Sequence, residues 1–332
     1  EKENLSHEMI STVVTFRLGK YISLFCRKSV SSKSYSTMEK SFLIESIRNC
    51  IPPLVNSSHK GQAGRIGIVG GSLEYTGAPF FAGISALKVG ADLVHIFCAS
   101  SAATVIKSYS PELIVHPLLD QKAAVAEISP WFDRLHAIVI GPGLGREMDI
   151  FRVVSELITV IKDKKIPLVI DADGLFLITE NPDLIKDFMS PVILTPNKIE
   201  YERFSNKVNC SCLHDWGANI TLLKKGASDE VMSVVSEAQW KSNEVGSARR
   251  CGGQGDLLSG SIATFLNWTL SNKDKINTTT EKTAVAVSLA CYAASVLVRR
   301  CNEKAFKING RSMLASDMIV HIHEAFEELF GQ

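Results

Sequence analysis

The densest chemistry in this 332-residue chain lies in one run, ARRCGGQGDLLSG, at positions 248–260. After it the pattern turns apolar with a helical period. A helix start offers unpaired backbone N–H groups and about half a positive charge. Glycines at 252, 253 and 255 let those amides surround an anion without side-chain obstruction. Arg249 and Arg250 add charge of the same sign. Asp256 then stands where the helix begins. As an N-cap it would be ordinary. Yet a carboxylate at an anion site opposes binding unless it has chemistry to perform. The fitting chemistry is proton removal from a hydroxyl as that oxygen attacks phosphorus. A phosphoryl-transfer site is therefore weighed against a structural turn, and the first is favoured.

Other segments offer further groups. "GPGLGR" (141–146) can pass backbone amides close to a phosphate or a flat ring, or be a plain tight turn. "IDADGL" (170–175) carries Asp171 and Asp173, which are helix caps or site carboxylates. In "TPNKIEYERF" (195–204), Asn197 and Glu200 are three apart at the start of a short helix and share a face. In "LLKKGASD" (222–229), Lys225 either reaches a nucleotide phosphate or is a solvated charge. "GRIGIVGGSLEYTGA" (64–78) fails as a dinucleotide fingerprint. Its glycines are not spaced G-x-G-x-x-G, and no acid ends the second strand. No G-x-x-x-x-G-K-[ST] phosphate loop occurs either.

The elements that must position these groups alternate. Amphipathic or apolar helices are expected over 39–51, 78–89, 150–163, 256–269, 281–300 and 314–330. Short two-sided apolar strands are expected at 65–71, 92–99, 136–143, 166–174, 191–197 and 219–226, with a hairpin near 228–240. Such alternation predicts an α/β fold: a mainly parallel central sheet with helices on both faces. Ligands then sit beyond the carboxyl ends of the strands, where each strand runs into small, polar or charged residues. One domain over 39–332 is the simplest organisation; no internal repeat is visible.

Composition narrows the class. With 36 basic and 35 acidic residues the formal charge is +1. Neither nucleic acid nor an anionic membrane is recruited by a global field. The longest apolar run, Ala284 to Val298, is interrupted by polar residues and reads as a buried helix rather than a span. Eight cysteines are scattered without zinc-ligand spacing, so reduced thiols are expected. Residues 1–38 differ from the rest. From Met9 to Met38 there is no acid but five basic residues and many Ser and Thr. That is a transit-peptide composition, which predicts a mitochondrial address, with a cytosolic form if translation starts at Met38.

These motifs resemble a known superfamily. G-x-G-D opening a late helix resembles the ribokinase-like proteins. "GPGLGR", "VIDADGL", "LTPNKIEYERF", "KKGASD" and "RRCGGQGDLLSG", in that order over about 45–328, resemble the ATP-dependent NAD(P)H-hydrate dehydratases, in their short eukaryotic form. The resemblance implies the chemistry. NADH or NADPH hydrated across the nicotinamide 5,6 bond (NADHX, NADPHX) is phosphorylated by ATP on its 6-hydroxyl, and phosphate then leaves by elimination. It implies Asp256 as base and Gly252 to Gly255 around the γ-phosphoryl oxygens. It implies Mg²⁺ on the ATP phosphates. For the hydrate it implies Gly145, Asn197, Lys198, Ile199, Glu200, Tyr201, Glu202, Arg203 and Asp256. For ATP it implies Lys225, Gly226, Ala227, Ser228 and Asp229, with Gly246, Ser247, Ala248, Arg249, Arg250, Cys251, Gly252, Gly253, Gln254 and Gly255. The connection 230–245 is slightly long for the family, which leaves the register of Ser228 and Asp229 open by a residue or two. A homo-oligomer fits the family. Two alternatives remain: a small-molecule kinase of the same fold, and a non-catalytic nucleotide binder.

Overall fold

Seven short strands form the parallel part of the sheet, and all but the edge strand β3 carry buried side chains in both directions, so those must be covered on both faces. They are β1 (Arg65–Val69), β2 (Leu93–Cys98), β3 (Ile114–Pro117), β4 (Ala137–Ile140), β5 (Leu168–Ile170), β6 (Val192–Leu194) and β7 (Ile220–Lys224). In the computed structural model, which describes residues 38–57, 59–208, 217–244 and 246–331, these seven are mutually parallel. Two antiparallel strands, β8 (Glu230–Ser233) and β9 (Trp240–Lys241), extend one edge and form the expected hairpin. Among the described residues the sheet order is β3-β2-β1-β4-β5-β6-β7-β8-β9.

The helices divide between the faces. In chain order they are α1 (Lys40–Cys50), α2 (Gly77–Val89), α3 (Ser100–Tyr109), α4 (Ala124–Phe132), α5 (Met148–Asp163), α6 (Ala172–Glu180), α7 (Lys198–Val208), α8 (Gln254–Ser271), α9 (Lys282–Asn309), α10 (Ala315–Ile319) and α11 (Ile322–Phe330). Helices α1, α2, α3 and α8 to α11 share one core with the strand side chains Ile66, Ile68, Val139 and Val169. Helices α4 to α7 share the other with Ile138, Ile140, Leu168 and Ile170. Neighbouring residues on β4 and β5 thus enter opposite cores, as the period of two requires.

Helix α8 is buried on every side: each residue from Leu257 to Thr269 is buried. It crosses α2 so closely that a methyl on Gly260 would come 1.9 Å from the Ala82 carbonyl. Helix α9 is long and apolar enough to cross a membrane, yet most of its apolar window lies inside the fold. It runs nine residues past the expected 300. The helix expected at 314–330 is two short ones, α10 and α11, broken at Val320–His321. Elements α3, β3, α4 and α6 were not expected from the pattern. The described cysteines 50, 98, 251, 291 and 301 are free. The segment read as a targeting peptide, 1–38, lies outside the described residues except for Met38.

One glycine fixes the sheet's working edge. Gly141, after β4, has φ +122°, and a Cβ there would meet the Asp171 carbonyl at 1.8 Å. Gly141→Ala is expected to cost about 2–3 kcal/mol, from the φ strain and the clash with immovable backbone. A shift in the urea midpoint checks it.

Candidate active site

Because β1 and β4 to β7 run parallel, the loops that follow them lie on one edge. Backbone bonds tie those loops together. The Thr195 amide donates to the Ile170 carbonyl (3.1 Å), and the Lys225 amide to the Pro196 carbonyl (2.9 Å). Onto this edge comes the start of α8. Gly253 stands before it in the left-handed region (φ 91°), where a Cβ would strike Ala315 at 2.7 Å and the Phe81 ring at 2.8 Å. The first helical bond is donated by Leu257 to the Gly253 carbonyl. The amides before it therefore include the orphan donors of the helix start.

Asp256 occupies the first turn of α8. Burial first, and then the Asp171 carboxylate, push it up to about 7, against the pull of Lys225 and of its own backbone amide. Asp171 is 2 % exposed, and its Oδ1 accepts from Lys225 Nζ at 2.7 Å. Burial alone would make the Lys225 ammonium easier to deprotonate, but Asp171, Glu200 and Asp256 outweigh it and hold the proton more tightly. A methyl on Gly255 would lie 3.4 Å from Lys225 Nζ and 3.6 Å from Asp171 Oδ2. The pair thus abuts the glycine beside Asp256. A fixed cation, orphan amides and a carboxylate poised near neutrality are what phosphoryl transfer to a hydroxyl requires.

A cavity of about 520 Å³ opens beside this cluster. Of the residues expected at ATP, Lys225, Gly226, Ala227, Asp229, Gly246, Arg250, Cys251, Gly252, Gly253, Gln254 and Gly255 line it, as does Asn197. Ser228, Ser247, Ala248 and Arg249 do not. Arg249 turns away and donates from Nε to the Met313 carbonyl (3.3 Å). Ser247 serves its own loop, its hydroxyl accepting from the Arg249 amide and its amide donating to Asn302 Oδ1.

Asp229 lines the cavity as expected, and its hydrogen bonds show how it is held there. Its Oδ1 accepts from the Gly226 amide (3.0 Å) and Arg299 Nη2 (2.6 Å). Its Oδ2 accepts from Ser295 Oγ (2.7 Å) and Arg299 Nε (2.9 Å). Arg299 also donates to the Gly226, Ala227 and Glu244 carbonyls. The carboxylate is spent on holding the 226–229 turn to α9, so its part in nucleotide binding is to build the wall. Arg299, Ser295 and Asn302 line the cavity too. Sequence reasoning missed all three, because they sit mid-helix without any local motif.

The hydrate-side residues divide. Asn197 and Glu200 form a reciprocal cap on α7: the Asn197 amide donates to Glu200 Oε2 (2.8 Å), and the Glu200 amide to Asn197 Oδ1 (3.0 Å). Burial raises the Glu200 carboxyl, with Lys225 opposing. Tyr201 lies under Lys224, whose Nζ is 4.7 Å from the ring centroid. Lys198, Ile199 and Glu202 are exposed on the outer side of α7, Lys198 facing Glu202 at 4.0 Å. None of the three lines the cavity. Asp171 and Asp173 do not cap α6. Asp173 accepts from the Gly145 amide (3.1 Å) and Arg146 Nε (3.0 Å). Among the described residues no group of three His, Cys, Asp or Glu could cage a metal ion.

Comparison with known proteins agrees with this geometry. A family model described as NAD(P)H-hydrate dehydratase matches residues 66–324. A relative from Aedes aegypti, named ATP-dependent (S)-NAD(P)H-hydrate dehydratase, is 52% identical over 93% of this chain and 93% of its own length. A Homo sapiens relative of the same name is 47% identical over 90% of this chain and 87% of its own. Among solved structures, a ribokinase-like superfamily protein from Enterococcus faecalis superposes with TM-score 0.70 at 19% identity, covering 91% of this chain and 99% of that one. The Bacillus subtilis ADP/ATP-dependent NAD(P)H-hydrate dehydratase, co-crystallized with ATP/Mg2+, does so with TM-score 0.63 at 21% identity, covering 90% and 100%. These structures show the ribokinase-like fold, and the matched motifs and relatives show that the chain belongs to the NAD(P)H-hydrate dehydratase family.

Proposed function

We propose that this protein repairs hydrated NADH and NADPH, using ATP to dehydrate the (6S) form. The observation that carries the reading is Asp256 at the glycine-lined start of α8, beside the Lys225–Asp171 pair. Its carboxylate takes the proton of the 6-hydroxyl as that oxygen attacks the γ-phosphorus, and ADP leaves. The orphan amides of the helix start and Lys225 face the negative charge that moves to the phosphoryl oxygens. The C6–O bond then breaks, its electron pair leaving with phosphate, and loss of the C5 proton restores the ring double bond. The relatives' name supports ATP as donor. Mg²⁺ fits this site only as an ion carried largely by the nucleotide phosphates, since the described residues supply no three-ligand cage and Mg²⁺ is commonly held that way.

The test is direct. Purified protein with NADH hydrate, ATP and Mg²⁺ is expected to restore the near-UV absorbance of dihydronicotinamide. A stable phosphorylated alcohol without that recovery would instead mark a small-molecule kinase. Because the base must be ionised, kcat/KM is expected to fall on the acid side of about pH 7, the value to which Asp256 is raised. A flat profile from pH 5 to 8 would contradict the assignment of Asp256.

A further inference from the structure

Three non-glycine residues among those described have a left-handed backbone: Lys165 (φ 57°), Ala172 (φ 46°) and Asp187 (φ 56°). Lys165 and Asp187 stand in exposed turns. Ala172 instead opens α6 at the carboxyl edge of the sheet, between Asp171 and Asp173. An alanine in that region is strained, and such strain persists only where the surroundings impose it. Here they do. The Asp171 amide donates to the Ile140 carbonyl (3.0 Å), and the Asp171 carbonyl accepts from the Gly174 amide (2.9 Å). Gly141 closes on the same carbonyl, leaving no room for a side chain. With its backbone gripped on both sides, Asp171 has its side chain aimed by the fold.

That aim selects one partner for a shared cation. Lys225 faces three carboxylates, Asp171, Glu200 and Asp256. Its Nζ bonds to Asp171 Oδ1 (2.7 Å), and among the described residues it forms no ion pair with the other two. Glu200 is engaged at its own helix start, by the Asn197 amide. Asp256 faces Asp171, Lys225 and Asp173. An ammonium paired with Asp256 would favour its charged form and make it a weaker base. The bond to Asp171 prevents that pairing. It also keeps the cation at the glycine turn, 3.4 Å from the place of a Gly255 methyl. Asp171 Oδ2 accepts no hydrogen bond among the described residues and lies 3.6 Å from the same place, so its charge bears on the Asp256 turn directly.

We propose that Asp171 is a positioning residue for the phosphoryl step: aimed by the strained turn at Ala172, it holds Lys225 away from the base and at the phosphate turn. This rests on the hydrate dehydratase reading. Asp171 does not line the nucleotide cavity, whereas Lys225 does. Its effect therefore runs through Lys225. It appears in kcat and in the ionisation of Asp256, not in the affinity for the hydrate.

Asp171→Asn, Lys225→Gln and the double variant are compared with wild type at saturating ATP, from pH 5 to 8. Asp171→Asn is expected to lower kcat about tenfold or more, with the hydrate KM within about threefold of wild type. The acid limb of its kcat/KM profile moves to lower pH, because Asp256 loses a repelling charge and gains the ammonium. Added to Lys225→Gln, Asp171→Asn changes kcat by less than about threefold, since the group it works through is gone. Asp171→Glu keeps the charge and recovers part of the loss. Additive losses in the cycle, an acid limb that stays in place, or a hydrate KM that rises as kcat falls overturns the proposal. Melting midpoints are read alongside, and a kcat loss matched by the unfolded fraction at the assay temperature overturns it too. The double variant leaves neither charge of the pair without its partner, so it keeps the cycle readable where a single variant is unstable. A wild type that cannot restore NADH from its hydrate would sink the activity itself; an active wild type with an additive cycle sinks the role of Asp171 alone.

Discussion

Asp256→Asn is expected to fold, bind ATP and lose turnover by about 10² or more, the usual effect of removing a positioned base. The amide keeps the shape of the side chain but cannot accept the hydroxyl proton. The same variant is expected to melt at a higher temperature than the wild type. Asp256 is raised to about 7 by burial and by Asp171, against an ordinary 3.8. Below pH ~4 it is neutral in both folded and unfolded chains. Between ~4 and ~7 the folded chain holds the proton that the unfolded chain has released, so stability falls as pH rises. Above ~7 the fold carries the full penalty of a desolvated carboxylate, on the order of a few kcal/mol. Asn removes that penalty. Calorimetry at pH 5 and pH 8 checks it: the wild type should lose more stability over that interval than the variant. A midpoint that drops in Asp256→Asn at pH 8, or turnover within tenfold of wild type, would contradict the role given to this carboxylate. The trade of stability for a poised base is common at catalytic sites.

Arg299→Met is expected to destabilise the fold by about 3–5 kcal/mol, the cost of leaving a buried carboxylate without its counter-charge. Asp229 is 5 % exposed and takes two of its four hydrogen bonds from Arg299. The same guanidinium holds the carbonyls of Gly226 and Ala227, which border the nucleotide cavity. ATP affinity should therefore fall along with stability, although Arg299 need not touch the phosphates. Arg299→Lys restores charge but not the planar fork, and should recover only part of the loss. In Asp229→Asn/Arg299→Met no buried charge is left unpaired, so the double variant should be more stable than Arg299→Met alone. Urea unfolding and ATP titration on the wild type, Asp229→Asn, Arg299→Met and the double variant decide this. A strictly additive cycle would show that the pair is not coupled.

Much of the architecture could be read from periodicity. The two-sided apolar strands at 65–71, 136–143 and 191–197 required a covered parallel sheet, and that sheet places their carboxyl ends on one edge. The readings failed where local pattern is weak. Helix α6 begins inside Asp-Ala-Asp-Gly, within the stretch expected as strand 166–174; β5 ends at Ile170, and Gly141 approaches the Asp171 carbonyl where the helix starts. Helix α4 contains Pro130, and β3 is only four residues long at the sheet edge, so neither gives a clean period. Helix α9 continues past Val298 through a mixed polar stretch, because its apolar face keeps packing through Cys301 and Ala305.

The chain's own order of residues determined the candidate base, the glycine-rich helix start, the lysine that ends β7's run and the family motifs, because each is a local string with local physics. Only the tertiary structure decided which of those groups meet. Asp171 and Lys225 are 54 positions apart and become a 2.7 Å pair because β5 and β7 flank β6 in one parallel sheet. Asp229 becomes a structural buckle because α9 brings Arg299 across 70 positions. Arg146 and Arg203 face the ring of Phe176 because the loop after β4, helix α6 and helix α7 converge on that edge. Such meetings depend on strand order and helix packing, which no local spacing encodes.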